Sequence, residues 1–429
     1  MKAGLILVSV SLVVVLFGLK LRSNETEKAA QPAPAAKTPR VPVKPEFVRG
    51  IHLTSWAAGS KKSREKINAL LKDTELNTVV VAVKEYEGEI YIPGVPLAEK
   101  YKIHVNAIPD VKDYVERLKS EGIYTIARIV VFKDNSLPRK RPDLGVKKPD
   151  GTLWTDRHKI TWLDPYNKEA WDYNISVASQ AIMLGFDEIQ FDYIRFPSDG
   201  DTKQCRYSFA HHSSSYNAKC LDDFLEYASG KIKPMGANLS IDIFGLTPSV
   251  SHDMGIGQKF NEMTQWVDFV SPMTYPSHYA KGEYGIPNPN AVPYRVVHKT
   301  MYDANKRLGD LSKRLRPYLQ DFSLGYKYGP KEVRAQIEAC EDQGIKEWLL
   351  WNPNCNYTRK ALRSKKGVLD PEAETPKSWK QDSAKEKKKE TSAGRQTINE
   401  KASGRTTVSG SSTTAPIPNT IEQSTPSKK

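Results

Sequence analysis

The chain has 429 residues, 39% of them hydrophobic and 27% charged, and 64 Lys and Arg against 50 Asp and Glu leave a net charge of +14. A multi-span membrane protein is excluded, because it needs several apolar stretches of roughly 20 residues; a wholly disordered chain is excluded by 8 Trp, 20 Tyr and 12 Phe. The basic excess suits acidic polymers, anionic lipid or nucleic acid and does not by itself choose among them.

In chain order, the first feature is AGLILVSVSLVVVLFGL at residues 3–19, uncharged and flanked by Lys2, Lys20 and Arg22. Its length falls between a signal-peptide core of about 7–15 residues and a spanning helix of about 20. We read residues 1–22 as a membrane anchor, with a cleaved signal as the alternative; either expects an exported protein, held at the cell membrane with an extracytoplasmic domain or secreted. Residues 23–46 include QPAPAAKTPRVPVKPE and read as a Pro/Ala-rich linker.

Residues 47–366 alternate short β-branched or aromatic runs with amphipathic segments. The runs are 48–56, 77–85, 124–134, 187–197, 237–245, 268–279, 314–322 and 346–353. Between them SREKINALLKD, IPDVKDYVERLKSEG, YNKEAWDYNISVASQAIMLG, KCLDDFLEYASGKIK and GPKEVRAQIEACEDQG carry apolar residues at helical spacing. Gly122, Gly185 and Gly344 stand where a helix stop needs positive φ. KRLGDLSKRLR at 306–316 reads as a charged loop. Strands alternating with helices predict a parallel sheet, and eight units in this length predict a closed (β/α)8 TIM barrel. The alternative, an open doubly wound sheet, wants a glycine-rich phosphate loop after the first strand, and HLTSWAAGSKK is not one. From about Pro371 the apolar pattern stops, so residues 367–429 read as a low-complexity disordered tail.

Export makes the four cysteines candidates for disulfides. Local pairs, Cys205 with Cys220 and Cys340 with Cys355, are our expectation, although three connectivities are open. No CxxC or HxxxH spacing suggests a metal, and no cofactor is implied.

A barrel places its chemistry at the C-terminal ends of its strands. There the sequence offers Lys84, Glu85, Lys133, Asp134, Asp192, Arg195, Asp242, Tyr275, His278, Gln320, Asp321, Trp351 and Asn352. Alternation gives Gln190 and Asp192 one face of their strand, and Ser240 and Asp242 one face of the next. Two acids on adjacent strands, about 4.8 Å apart, hinder each other's ionisation, so one can serve as an acid at neutral pH. A proton donor beside a carboxylate is what cleavage of an acetal requires. Asp192 is assigned as nucleophile or base and Asp242 as proton donor. The competing assignment pairs them structurally with Arg195 and Arg128. Trp56, Tyr275, Tyr318 and Trp351 could stack on sugar rings, and Lys84, Glu85, Arg128, Arg195, His278, Gln320 and Asn352 could bind hydroxyls or tune the acids.

GFDEIQFDYIRFP (185–197), SPMTYPSHY (271–279), IARIVVFKD (126–134) and WLLWNPNCNY (348–357) resemble a bacterial family of exported "putative glycosyl hydrolase" barrel domains. The likeness spans nearly all of 47–366 and implies a glycosidase-like barrel with Asp192 and Asp242 at acid/base or nucleophile positions. Where the family's second strand reads like IDVKEY, this chain has VAVKEY, with Ala82 in place of the acid; Tyr318 stands where the family tends to have Trp. The expectation is therefore a monomeric glycoside hydrolase acting on a cell-wall or extracellular polysaccharide. The alternative is a catalytically impaired carbohydrate-binding barrel at the cell surface. No OB, RRM or helix-turn-helix signature supports nucleic-acid binding.

Overall fold

The computed structural model describes residues 43–381. The expected anchor, most of the linker and the tail from residue 382 lie outside them. Among the described residues no helix is long and apolar enough to cross a membrane.

Eight strands close into a parallel barrel in sequence order. They are β1 (Arg49–Leu53), β2 (Thr78–Lys84), β3 (Tyr124–Val130), β4 (Glu188–Asp192), β5 (Asn238–Phe244), β6 (Phe269–Thr274), β7 (Tyr318–Gln320) and β8 (Trp348–Trp351). The main helices of the seven connections are α1 (Lys61–Asp73), α2 (Val111–Ser120), α3 (Lys168–Met183), α4 (Ser214–Ile232), α5 (Phe260–Thr264), α6 (Pro293–Leu308) and α7 (Pro330–Glu341). This is the expected TIM barrel. Strands such as TVVVAVK in β2 are buried end to end, as a sheet covered on both faces requires. The sequence expectation ran each strand too long, because the polar residues beyond the true ends continue into loops.

Helix boundaries follow local chemistry. Asn167 caps α3 by accepting from Glu169 N at 2.9 Å, and Glu332 Oε2 accepts from Gly329 N at 2.9 Å to close the start of α7. Gly122 and Gly344 adopt φ of 75° and 79° just beyond α2 and α7. Helix α6 was not anticipated. Its apolar face, Tyr294, Val297, Met301, Ala304 and Leu308, has regular spacing behind a first-turn Pro293, but basic residues interleave it. It also absorbs the start of the segment read as a charged loop, and Gly309–Arg314 forms a 3-10 turn.

Two further expectations are corrected. The ordered domain runs past residue 366: Pro371–Ala373 forms a 3-10 turn, Ala373 is fully buried, and Lys380 Nζ lies 2.8 Å from Glu338 on α7. At the other end Lys44, assigned to the linker, pairs with Glu347. The four cysteines are free thiols, each buried. Cys220 Sγ donates to Pro165 O at 3.1 Å, Cys355 Sγ accepts from Thr54 N at 3.3 Å, and Cys340, on α7, packs into the apolar core. Each thiol is held by its own packing and none by another sulfur.

The interior of the barrel is polar as well as apolar. Strands β4 and β7 are not neighbours, so contacts between them cross the lumen. Tyr318 Oη donates to Gln190 Oε1 at 2.8 Å, and Arg316, just before β7, pairs with Glu188 at the start of β4. Glu188 also accepts from Tyr124 Oη at 3.0 Å and Ser240 Oγ at 2.5 Å. This lower layer lies beneath the strands' C-terminal ends. Glu188→Ala would strand a fully buried guanidinium and is expected to lower the unfolding free energy by roughly 3–5 kcal/mol in urea denaturation. A loss under about 1 kcal/mol would mean that Glu347, 4.0 Å from Arg316, takes over as partner.

Candidate active site at the barrel mouth

Arg128 on β3 organises the upper layer. Its terminal nitrogen NH2 donates to Asp192 Oδ2 at 2.5 Å and its Nε to the same oxygen at 3.2 Å. Its NH1 donates to Glu85 Oε2 at 2.8 Å, just beyond β2. Asp242 Oδ2 on β5 lies 3.8 Å from Nε. One cation thus faces three carboxylates carried by three strands. Burial opposes its charge, but Asp192, Glu85 and Asp242 outweigh that and push its pKa well above the ordinary value. Because both aspartates reach the same Nε, at 3.2 and 3.8 Å, at most about 7 Å separates their Oδ2 atoms, close enough for each charge to oppose the other's ionisation.

The two aspartates differ in surroundings. Asp192 Oδ1 also accepts from Tyr193 N at 2.6 Å. That contact comes with a left-handed backbone at Tyr193, φ 54°, a conformation worth roughly 1–3 kcal/mol of strain in a bulky residue. Asp242 is 1% exposed, and neither of its oxygens has a hydrogen-bond partner among the described residues. Burial, then the charge of Asp192, raise its pKa well above the usual carboxylate value; Arg128 and Arg316 offset this in part. It therefore keeps its proton to higher pH than a free carboxyl.

Around Asp242 other buried polar atoms lack partners too. They are both ring nitrogens of His52 on β1, Tyr275 Oη after β6 and Trp351 Nε1 on β8. His52 stacks on Trp351 with centroids 3.9 Å apart, and burial followed by the charge of Arg128 drives its pKa well below normal, so it is neutral. Arg128 lies over the same indole at 5.0 Å, and Tyr318 meets it edge-on at 5.7 Å.

Of the residues expected here, Asp192, Asp242, Arg128, Glu85, Tyr275 and Trp351 do converge. Trp351, however, is buried against His52 and offers no open face of the kind expected for stacking; Trp56, 50% accessible after β1, is an exposed aromatic at this end. Lys84 does not join. The β2–β3 register slips between Ala82 and Lys84, and this bulge turns Lys84 out of the lumen. It is fully buried there, 3.0 Å from Asp134 and bonded to Val130 O, Val131 O and Asn174 of α3. Gln320 and Asn352 are spent on backbone: Gln320 accepts from Ser277 N and donates to Phe322 O, while Asn352 bonds Asp321 O, Asn354 N and Asn356 O. His278 sits at the rim, its Nδ1 2.9 Å from Ser277 Oγ and its ring against Tyr275 and Phe322. Arg195 is held by rings and neutral oxygens and does not pair with Asp192. Two contributors went unnoticed. His52 shares a face with Gly50 between outward Ile51 and Leu53, a legible alternation; the strained turn at Tyr193 had no sequence signal. Among the described residues no cluster of three or more His, Cys, Asp or Glu could hold a metal.

The sequence profile of the family described as "Putative glycosyl hydrolase domain" matches residues 50–357. A comparison with curated proteins gives no significant match. Among solved structures, the PgaB (BpsB) glycoside hydrolase domain from Bordetella bronchiseptica aligns with a TM-score of 0.55 at 15% identity, over 72% of this chain and 94% of that one; the likeness is one of fold. A hypothetical protein from Ruminiclostridium thermocellum ATCC 27405 is 35% identical over 45% of this chain and 96% of its own, with a TM-score of 0.41.

The proton on Asp242 is measurable through stability. A raised folded pKa means that above the unfolded value, about 3.9, the native state binds more protons than the unfolded chain, so this group's contribution falls as pH rises through that window. Asp242→Asn removes the effect. Its melting temperature should decline less from acid to neutral pH than that of the wild type, and parallel declines would show that Asp242 carries no such shift. Asp192→Asn instead breaks a buried pair and should cost roughly 3–5 kcal/mol, read by urea unfolding.

Proposed function

Since the chain belongs to this glycosyl hydrolase family, we propose that it hydrolyses glycosidic bonds in a cell-wall or extracellular polysaccharide through Asp242 and Asp192. The observation that carries the proposal is the set of unpartnered buried polar atoms, on His52, Asp242, Tyr275 and Trp351, gathered at one end of the barrel. Buried polar groups without partners are costly, and a hydroxyl-rich ligand would satisfy them.

The two carboxylates divide the work by environment. Asp242, kept protonated by burial and by Asp192, gives its proton to the glycosidic oxygen as the C–O bond breaks. Asp192, anchored by Arg128 and Tyr193 N, attacks the anomeric carbon or takes a proton from the attacking water. An upper limit of about 7 Å between their oxygens is compatible with either route. Arg128 holds Asp192 in place, and neutral His52 can accept or donate at a sugar hydroxyl without adding charge. The apolar run at residues 3–19 supports work outside the cytoplasm, where such polymers lie.

A second reading has a specific observation behind it. Ala82 lies opposite Arg128 in the β2–β3 register, where the family resemblance expects an acid, and Glu85 occupies the guanidinium instead. On that reading the barrel grips glycan without cutting it.

Assay of a polysaccharide panel for new reducing ends separates the two. We expect turnover by the wild-type protein, and a loss of about 100-fold or more in kcat for Asp242→Asn, as removal of a general acid entails. The wild-type kcat/KM should fall as pH rises through the pKa of Asp242, which must be protonated to act, and that alkaline limb should vanish in the variant. Binding without release of any reducing end across the pH range would favour the grip.

A further inference from the structure

Arg195 lies three residues beyond Asp192 and is 4% exposed, yet among the described residues it forms no ion pair. Its NH1 donates to Phe196 O at 3.2 Å and Ser198 Oγ at 3.0 Å. Its guanidinium carbon lies over the rings of Trp162, Tyr193 and Phe244 at 5.0, 4.8 and 4.9 Å. These neighbours are neutral. The acid of its own loop, Asp199, is engaged by Arg157 at 3.3 Å. A buried guanidinium normally has a carboxylate against it, and this one has aromatic faces, which hold the cation in position; Asp192 and Asp199 act on its charge only from beyond contact, and burial outweighs them.

Its location connects it to the catalytic pair. Tyr193 and Phe244, the rings that flank it, stand one residue beyond Asp192 and two beyond Asp242. The next cation along the mouth, Lys133, shares Trp162 and Tyr193 with it, at 5.9 and 5.5 Å, but is already paired with Asp156 at 3.2 Å. Burial brings the pKa of Lys133 down to about 8. Arg128 is committed to Asp192 and Glu85. Among the described residues Arg195 is therefore a cation at this edge with no carboxylate in contact, and one such charge matches a monoanion. A planar fork of N–H donors fits a carboxylate best.

Resting on the glycosidase reading, we propose that the substrate is an acidic glycan and that Arg195 binds the carboxylate of a sugar unit adjoining the cleaved bond. Arg195 is then a specificity determinant: it selects the charged sugar and sets it against Asp192 and Asp242.

The test uses the full chain and a set of carboxylated glycans, polymers of galacturonate, glucuronate and muramate, each beside its carboxyl-reduced form. Calorimetry should show at least one carboxylated glycan bound about 10- to 100-fold more tightly than its reduced counterpart, the range expected for a hydrogen-bonded charge. Arg195→Gln should abolish that ratio and Arg195→Lys should restore part of it. Equal affinity of the wild-type protein for each pair overturns the proposal whatever the variants do. So does a ratio that persists in a folded Arg195→Gln protein, or a preference for sulfated over carboxylated glycan. Cleavage of neutral polymers without charge preference overturns this proposal and leaves the glycosidase reading standing. Failure to bind or cleave any glycan, neutral or acidic, overturns both.

Discussion

A single guanidinium among three carboxylates is the constraint on which the upper barrel depends. In a lumen with little solvent, Arg128 can stay charged only with anions against it, and each anion is tolerable only because of Arg128. One positive charge does not neutralise three negative ones. The imbalance is resolved unevenly: Asp192 takes two N–H donors of the guanidinium and a backbone N–H, Glu85 takes a third at the rim, and Asp242 is left 3.8 Å away with its pKa raised by burial and by Asp192. The division between an anchored carboxylate and a neutral acid thus comes from one shared cation and differing depth, without any difference in residue type.

Below that layer most of the inward charge is paired, although Arg316 Nε and Trp348 Nε1 have no hydrogen-bond partner among the described residues. Glu188 is saturated by Arg316, Tyr124 and Ser240, and Gln190 by Tyr318. The contacts of Arg316 and Tyr318 cross the lumen between non-adjacent strands, so they fix barrel geometry as well as filling it. The rigid lower layer lets the upper one keep polar atoms without partners and a strained residue, Tyr193, beside Asp192. Stability gathered in one part of a fold commonly supports strain in another.

At Ala82, where the family resemblance leads one to expect an acid, the charge beside Arg128 comes from elsewhere. Ala82 keeps its place on the inner face opposite Arg128, and the β-bulge that follows carries the chain so that Lys84 leaves the lumen while Glu85 returns to it. A third carboxylate is thus supplied to Arg128 from the loop, nearer the rim.

Much of this was legible in the chain itself. Eight β-branched runs, helical spacing between them and polar residues concentrated at the strands' C-terminal ends specify a barrel and the end that carries chemistry, because periodicity and burial are local consequences of residue type. Alternation was enough to put Asp192 and Asp242 on inward faces. It failed at Lys84, where one extra residue in the ladder reversed every expectation beyond it. Gln320 and Asn352 were read as free because bonds to loop backbone, both near in sequence (Phe322, Asn354, Asn356) and far (Ser277, Asp321), leave no mark in residue pattern, and the cysteine pairs were inferred from separation along the chain, which says nothing of where sulfurs point. The sequence by itself determined the barrel and the placing of Asp192 and Asp242 on inward faces at one end of it. Only the tertiary structure decided which polar side chains remain unpaired, since that depends on contacts between strands and loops that no local pattern encodes.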